Sequence, residues 1–443
     1  MSRSNNCDRP TARARRVIGL SISALLMSFT TLPARAADGY FQNGIGAREK
    51  ALAGSGVADG ADATAISLNP AGLTNVGNEM AAAVSILNYH RGYNSTGTGG
   101  VTAGGEHESG NEWFAVPNLA INRRVTWGIA DAVAFSVYGN GGINTHYADA
   151  PNLNCPLGLS GLNCGGPLGL NLAQTFFSVG LAKQLAPGVS VGVAPILARQ
   201  QFELNGVSLF SGLSSDPANF SDRGNVNTWG TGVKGGLELA LIPGVKFGLA
   251  GTSRINMGRM AAYSGLLADQ AKLDIPANMQ AGLSFQLRPD LKLFTDYRHI
   301  WYGSVGAVAN PSTNPVAFGL SNGPGFGARD LDVYKIGLEW QNSRVLTLRA
   351  GYSYGAPMFR GSDADLNVLT GGAARHHLTS GFKYKMTEKL DLEFAGMYAP
   401  RTTLAGAELL NPARNVEINA RQFEFTVGAI YRFDNDRAAA PLK

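Results

Sequence analysis

Charge is scarce in this 443-residue chain: Asp, Glu, Lys and Arg make up 16% of it, against about 25% in an average soluble domain. Cysteine is scarcer, with three in all. After residue 36 no apolar run reaches the length a membrane helix needs, about 20 residues. The first shortage speaks against two or three ordinary soluble domains, and the last excludes a helical membrane protein. Glycine, by contrast, is abundant at 57 residues. A glycine-rich, charge-poor, helix-poor chain of this length is a large secreted β protein or a membrane β-barrel.

The N-terminus points to export. "MSRSNNCDRPTARARR" carries five arginines, the apolar "VIGLSISALLMSFTTLP" follows, and "ARA" ends at Ala36. This is the order of a secretory signal peptide, expected over residues 1–36. That segment holds six of the 37 basic residues and one of the 32 acidic ones, leaving 31 of each. The apparent basicity therefore belongs to the signal, and net charge gives no reason to expect nucleic acid as a partner. Cys7 leaves with it. Cys155 and Cys164 remain in the Pro/Gly-rich "NLNCPLGLSGLNCGG". Two cysteines so close in an exported chain read as one disulfide, with no histidine nearby to favour a metal.

From Asn78 onward the pattern has period two. In "RQFEFTVGAIYRF" Phe423, Phe425, Val427, Ala429, Tyr431 and Phe433 share one face; Gln422, Glu424, Thr426 and Gly428 share the other, with Ile430 a misfit. Strands are expected near 79–91, 113–123, 127–138, 171–185, 189–203, 226–240, 245–256, 275–287, 291–302, 331–341, 345–356, 376–386, 390–400 and 421–433. That is roughly fourteen, an even number as bacterial barrels require. The joins alternate: short ones such as "APG", "IPG", "RPD" and "TEK", then long ones such as 139–170, 257–274 and 303–330. Sorting short turns to one rim and long loops to the other is the signature of a transmembrane barrel. The apolar face then meets lipid, and Asp391, Glu393, Lys383, Lys385, Arg349 and Glu424 line the lumen. Tyr398, Tyr352, Tyr354, Trp301, Tyr302, Tyr431 and Phe433, near strand ends, are candidates for the aromatic girdles.

Residues 37–78 break the pattern. They are rich in Ala, Gly and Asp, lack period two, and end on "NPAGL", where Pro70 removes a backbone donor and pushes Asn69 out of the helical region. A fourteen-strand lumen is too wide for side chains alone to fill, so a plug is physically reasonable. The expected division is a signal at 1–36, an N-terminal hatch at 37–78, a barrel at 79–433 and a polar tail at 434–443.

The stretches "GYFQNGIG…ALAGSGVADGADATAISLNPAGL", "VPNLAINRRVTWGIADAVAFSVYG", "NTWGTGVKGGLEL", "DIPANMQAGLSFQLRPDLKLFTDYRHIWYGS" and "LTLRAGYSYGAPMF" resemble the FadL/TodX family of outer-membrane transporters for hydrophobic compounds. The resemblance implies an all-β, fourteen-stranded barrel in the Gram-negative outer membrane, plugged by a hatch and acting as a monomer without a cofactor. It implies passive uptake of hydrophobic molecules, first among them long-chain fatty acids. These are captured at the extracellular loops and released sideways into outer-membrane lipid through a kink in the third strand. It places the hatch motif Asn69, Pro70 and Ala71 beside that kink, and the kink at Gly139. A basic residue on the fifth strand holds the carboxylate in fatty-acid carriers; here Leu204 takes that place, with Arg199 the nearest basic candidate. Aromatic or alkane hydrocarbons are therefore an alternative substrate, and a general diffusion porin is the runner-up function.

An enzyme is not expected. "GYSYG", Gly351–Gly355, has the letters of a serine nucleophile elbow but continues a strand instead of turning into a helix. His376 and His377 are adjacent on a strand and face opposite ways, so they form no metal pair.

Overall fold

A computed structural model describes residues 38–434 apart from 150, 157 and 373. The expected signal peptide, and the expected tail beyond Asp434, lie outside the described residues. Period two in the sequence becomes fourteen long strands: β1 (Glu79–Thr96), β2 (Trp113–Arg124), β3 (Ala132–Tyr147), β4 (Leu168–Ala186), β5 (Val189–Asn205), β6 (Val226–Ile242), β7 (Val245–Thr252), β8 (Asn278–Arg288), β9 (Leu291–Ile300), β10 (Leu331–Trp340), β11 (Leu346–Gly355), β12 (His376–Lys385), β13 (Leu390–Ala407) and β14 (Asn415–Arg432). Two short accessory strands, Gly105–Glu108 and Asn256–Met257, run along β1 and β6. Each long strand pairs antiparallel with its neighbour in sequence. β14 returns to β1 with Glu79 opposite Arg432 and Thr96 opposite Asn415, so the sheet closes. Closure satisfies the backbone without water, which a lipid-facing sheet requires. No helix among the described residues is long and apolar enough to cross a membrane.

The two faces divide by polarity. Val84, Ile86, Phe135, Ile336, Leu338, Phe394, Phe425 and Val427 are exposed on the outside, while Arg349, Asp391, Glu393, Glu424 and Thr426 are buried inside. Ile430 also faces inward, where it packs with Ala63, Ile66 and Leu73 of the N-terminal segment. That contact resolves the one misfit in the last strand. Tyr302 does not join a girdle: it is fully buried, and its hydroxyl donates to the Asp38 carbonyl at 3.1 Å. Several strands outrun their expected ends on the long-loop side, as where Arg91–Thr96 pair with Asn415–Ala420. Apolar alternation fades where lipid ends, but ladder bonds need no lipid.

The N-terminal segment forms α1 (Gly46–Ala51), α2 (Ala65–Leu68) and a 3-10 turn over Pro70–Asn75. Its neighbours lie all round the wall: Ala47 meets Gly428 of β14, Leu52 meets Gly351 of β11, Val57 meets Gly248 of β7, and Pro70 meets Gly192 of β5. A buried segment that touches so many separated strands of a closed barrel lies within it. A Cβ at Gly192, Gly248 or Gly351 would run into the segment's backbone, so glycine there permits the close approach.

Candidate functional site

Ladder bonds between β2 and β3 run from Arg124–Ala132 to Asn118–Tyr138 and stop. β2 continues to Trp113, still paired with β1. β3 instead bends: Gly139 pairs with Thr175 and Gly141 with Gln174, so Asn140 is an inserted residue on this side. One extra residue kinks a strand and flips its facing. Tyr138 is buried inward before the bulge, and Thr145 and Tyr147 after it. Backbone hydrogen bonding across the break resumes near the loops, where Gly110 N–H donates to the His146 carbonyl at 2.7 Å. The barrel wall is therefore unpaired between β2 and β3 beside Gly139–Asn144.

The freed backbone of β3 is met from inside by the N-terminal segment. Gln42 N–H donates to the Asn140 carbonyl and Gly142 N–H to the Tyr40 carbonyl, each at 3.0 Å, and the Gln42 side-chain amide donates to the Gly139 carbonyl. A Cβ at Gly141 would collide with the Tyr40 carbonyl, and one at Gly139 would press on Val116 across the gap. Both positions thus require glycine for space.

A cavity of about 390 Å³ opens beside this break. Its wall is largely apolar, with Phe114, Val116, Leu170, Leu172, Phe202 and Met397; Tyr40–Asn43 close one side, and Gly139, Gly141 and Gly142 of the kink form part of the wall. A second cavity of about 400 Å³ lies among the short turns and is polar, lined by Glu79, Lys292, Glu339, Arg344, Lys383, Lys385, Asp391 and Arg432.

Ion pairs fasten the segment to the luminal wall. The Asp38 carboxylate is 2.8 Å from both Lys335 and Arg298. Arg48 reaches Asp59 at 2.8 Å and Glu339 at 2.9 Å, and Lys50 pairs with Glu424 and donates to the Gln42 side-chain oxygen at 2.7 Å. Burial alone would raise the Asp38 carboxyl, but Lys335 and Arg298 hold it below its ordinary value. Glu49 goes the other way: burial pushes it up to about 7, against the lowering effect of the Ile45 N–H bond.

The expected site residues separate. Gly139 stands at the kink. Asn69, Pro70 and Ala71 do not: the Asn69 side chain donates to the Val57 carbonyl at 2.7 Å and to the Leu237 carbonyl of β6 at 3.0 Å, and Pro70 packs on β5. The residues beside the kink are Tyr40, Phe41 and Gln42. Arg199 shares the outward face of β5 with Val193 and Leu197 and bonds Asn227 at 2.8 Å. Inward Ala198 and Gln200 flank it, so strand parity keeps it from the cavity. Leu204, which does face inward, is buried beside Tyr263, whose hydroxyl accepts its N–H at 3.1 Å. Cys155 and Cys164 form a disulfide in the loop between β3 and β4, apart from the cavity wall. Ser353 points inward on an unbroken strand toward Asn43, and His376 and His377 take opposite faces of β12, with only His377 on the cavity. Sequence reasoning missed Tyr40–Gln42; the signal for them is the aromatic pair "YF" in an otherwise Ala/Gly/Asp-rich segment.

No family model and no curated protein matches this sequence. Solved structures do. The toluene transporter TodX of P. putida is 16% identical with a TM-score of 0.64, over 88% of this chain and 99% of its own. The toluene transporter TbuX of Ralstonia pickettii is 18% identical with a TM-score of 0.62, over 88% and 99%. A FadL homologue from Pseudomonas aeruginosa is 14% identical with a TM-score of 0.63, over 89% and 100%. Nearly the whole length of each is matched at low identity, so what the chain shares with these transporters is the barrel fold itself.

Proposed function

We propose that this chain is a member of the FadL/TodX family and a passive channel for hydrophobic compounds in the Gram-negative outer membrane. Residues 38–78 act as its hatch. Substrate collects in the apolar cavity and leaves sideways between β2 and β3 into lipid, and the barrel works as a monomer. The observation that carries this reading is the coincidence of an apolar cavity with an unpaired stretch of wall. Lateral exit also suits the energetics: each methylene gains about 0.8 kcal/mol on leaving water, and the polar cavity at the short-turn end would forfeit that gain. The fold shared with transporters and the placement of Ser353 on a plain strand support transport over catalysis. The packed N-terminal segment disfavours a general diffusion porin.

The test is Gly139→Leu, whose side chain must displace Val116 and so obstructs the break between β2 and β3. Uptake of a hydrophobic tracer by cells carrying this variant is expected to fall at least about tenfold, equivalent to about 1.4 kcal/mol of added barrier. The folded barrel should persist, read as heat-modifiable migration on a gel. Unchanged uptake through a folded variant sinks lateral exit.

A further inference from the structure

Arg91 of β1 lines the apolar cavity and is only 7% exposed. Its guanidinium carbon lies 3.9 Å from the centre of the Tyr89 ring, and Nη1 donates to the Asn144 carbonyl. Asn144 lies on β3 just past the kink, so Arg91 reaches across to the loop-side lip of the gap. No Asp or Glu among the described residues pairs with it. The other buried arginines and lysines are treated differently: Arg48, Lys50, Lys335, Arg349 and Arg414 each face a carboxylate. Lys234, half-buried and outside the apolar cavity, donates to the Ser67 carbonyl. Glu424 also lines the cavity, but Lys50 holds it.

An unneutralised guanidinium against apolar surface is unfavourable unless an anion joins it. A neutral hydrocarbon gives Arg91 nothing to bind. A carboxylate offers two oxygens to the planar fork of guanidinium donors, and an acyl chain behind it would lie on Leu170, Leu172 and Phe202. We propose that Arg91 is a specificity-determining residue that takes the head group of a carboxylate-ended acyl substrate at the upper lip of the gap. This assignment rests on the cavity being the substrate site.

The test compares dodecanoate with methyl dodecanoate, the same chain without the charge, binding to the purified full-length barrel at pH 8. The expected result is that the native protein prefers the acid, that Arg91→Met weakens dodecanoate binding roughly 10- to 100-fold, and that the ratio of the two affinities collapses toward one. Arg91→Lys should keep part of the preference, which a packing role alone would not give. Should Arg91→Met fail to migrate as a folded barrel, Arg91→Gln replaces it. A native protein that binds both probes equally, or a variant that keeps the native ratio, overturns the head-group assignment while leaving the cavity reading intact. A native protein that binds neither probe removes the cavity reading itself.

Discussion

At Asn69 a single amide serves three backbone groups. Its nitrogen donates to the Val57 and Leu237 carbonyls, and its oxygen accepts from Ala71 N–H at 3.1 Å, capping the 3-10 turn that Pro70 opens. Proline at the first turn position lacks the donor that would go unmet there. Asn69→Ala should therefore cost about 1–3 kcal/mol locally. Hydrogen exchange is the readout: the amides of Ala71–Val76 should exchange at least about tenfold faster, while β5 and β6 stay protected. The break in the chain at "NPAGL" was legible from residue types alone. Its address was not, because nothing local in the sequence says which wall strand receives the side chain. Arg91 was illegible for a similar reason: a period-two pattern tells which face a residue takes, not whether a counter-charge waits there.

Among the elements, the kinked β3 and the N-terminal segment depend on each other. The bulge at Asn140 frees backbone groups that Tyr40 and Gln42 then satisfy, and Lys50, tied to Glu424, orients the Gln42 amide. Gly139 could be read in sequence as a bend because "VYGNGG" crowds glycine into a strand; its partners could not, since they come from residues about a hundred positions earlier. Glu49 gives this element a pH dependence. Its folded value of about 7 lies above the ordinary 4.5. The protonated form is favoured by burial, so its stabilising contribution is full below pH 4.5 and is lost as pH rises through 7. Asp38, held below 3.8, works with the opposite sign: its contribution is present above that value and is lost as pH falls beneath it. Protease protection of residues 38–78 should thus be greater at pH 5 than at pH 8, and Glu49→Gln should flatten the difference. Equal protection at both pH values in the native protein would contradict this assignment.

The whole molecule was the most legible scale. Alternation marks lipid-facing from luminal residues on strand after strand, and the sorting of short turns from long loops implies a closed up-and-down barrel. Arg349, Asp391, Glu393 and Glu424 all fall inside as the alternation requires. Strand ends near the loops and the burial of Tyr302 escaped the pattern, whereas the outward turn of Arg199 follows from it, five residues from inward Leu204. The two that escaped are decided by packing between distant segments. The central claim is that an apolar molecule passes from the cavity into lipid between β2 and β3 and not down through the polar vestibule. A crystal structure with a dodecanoate brominated at its chain end tests this most directly. The account predicts bromine density in the unpaired stretch between β2 and β3 beside Gly142 and Ile143, with the chain in the cavity beside Leu172. Density for the same probe among Arg344, Lys383 and Lys385 would contradict it.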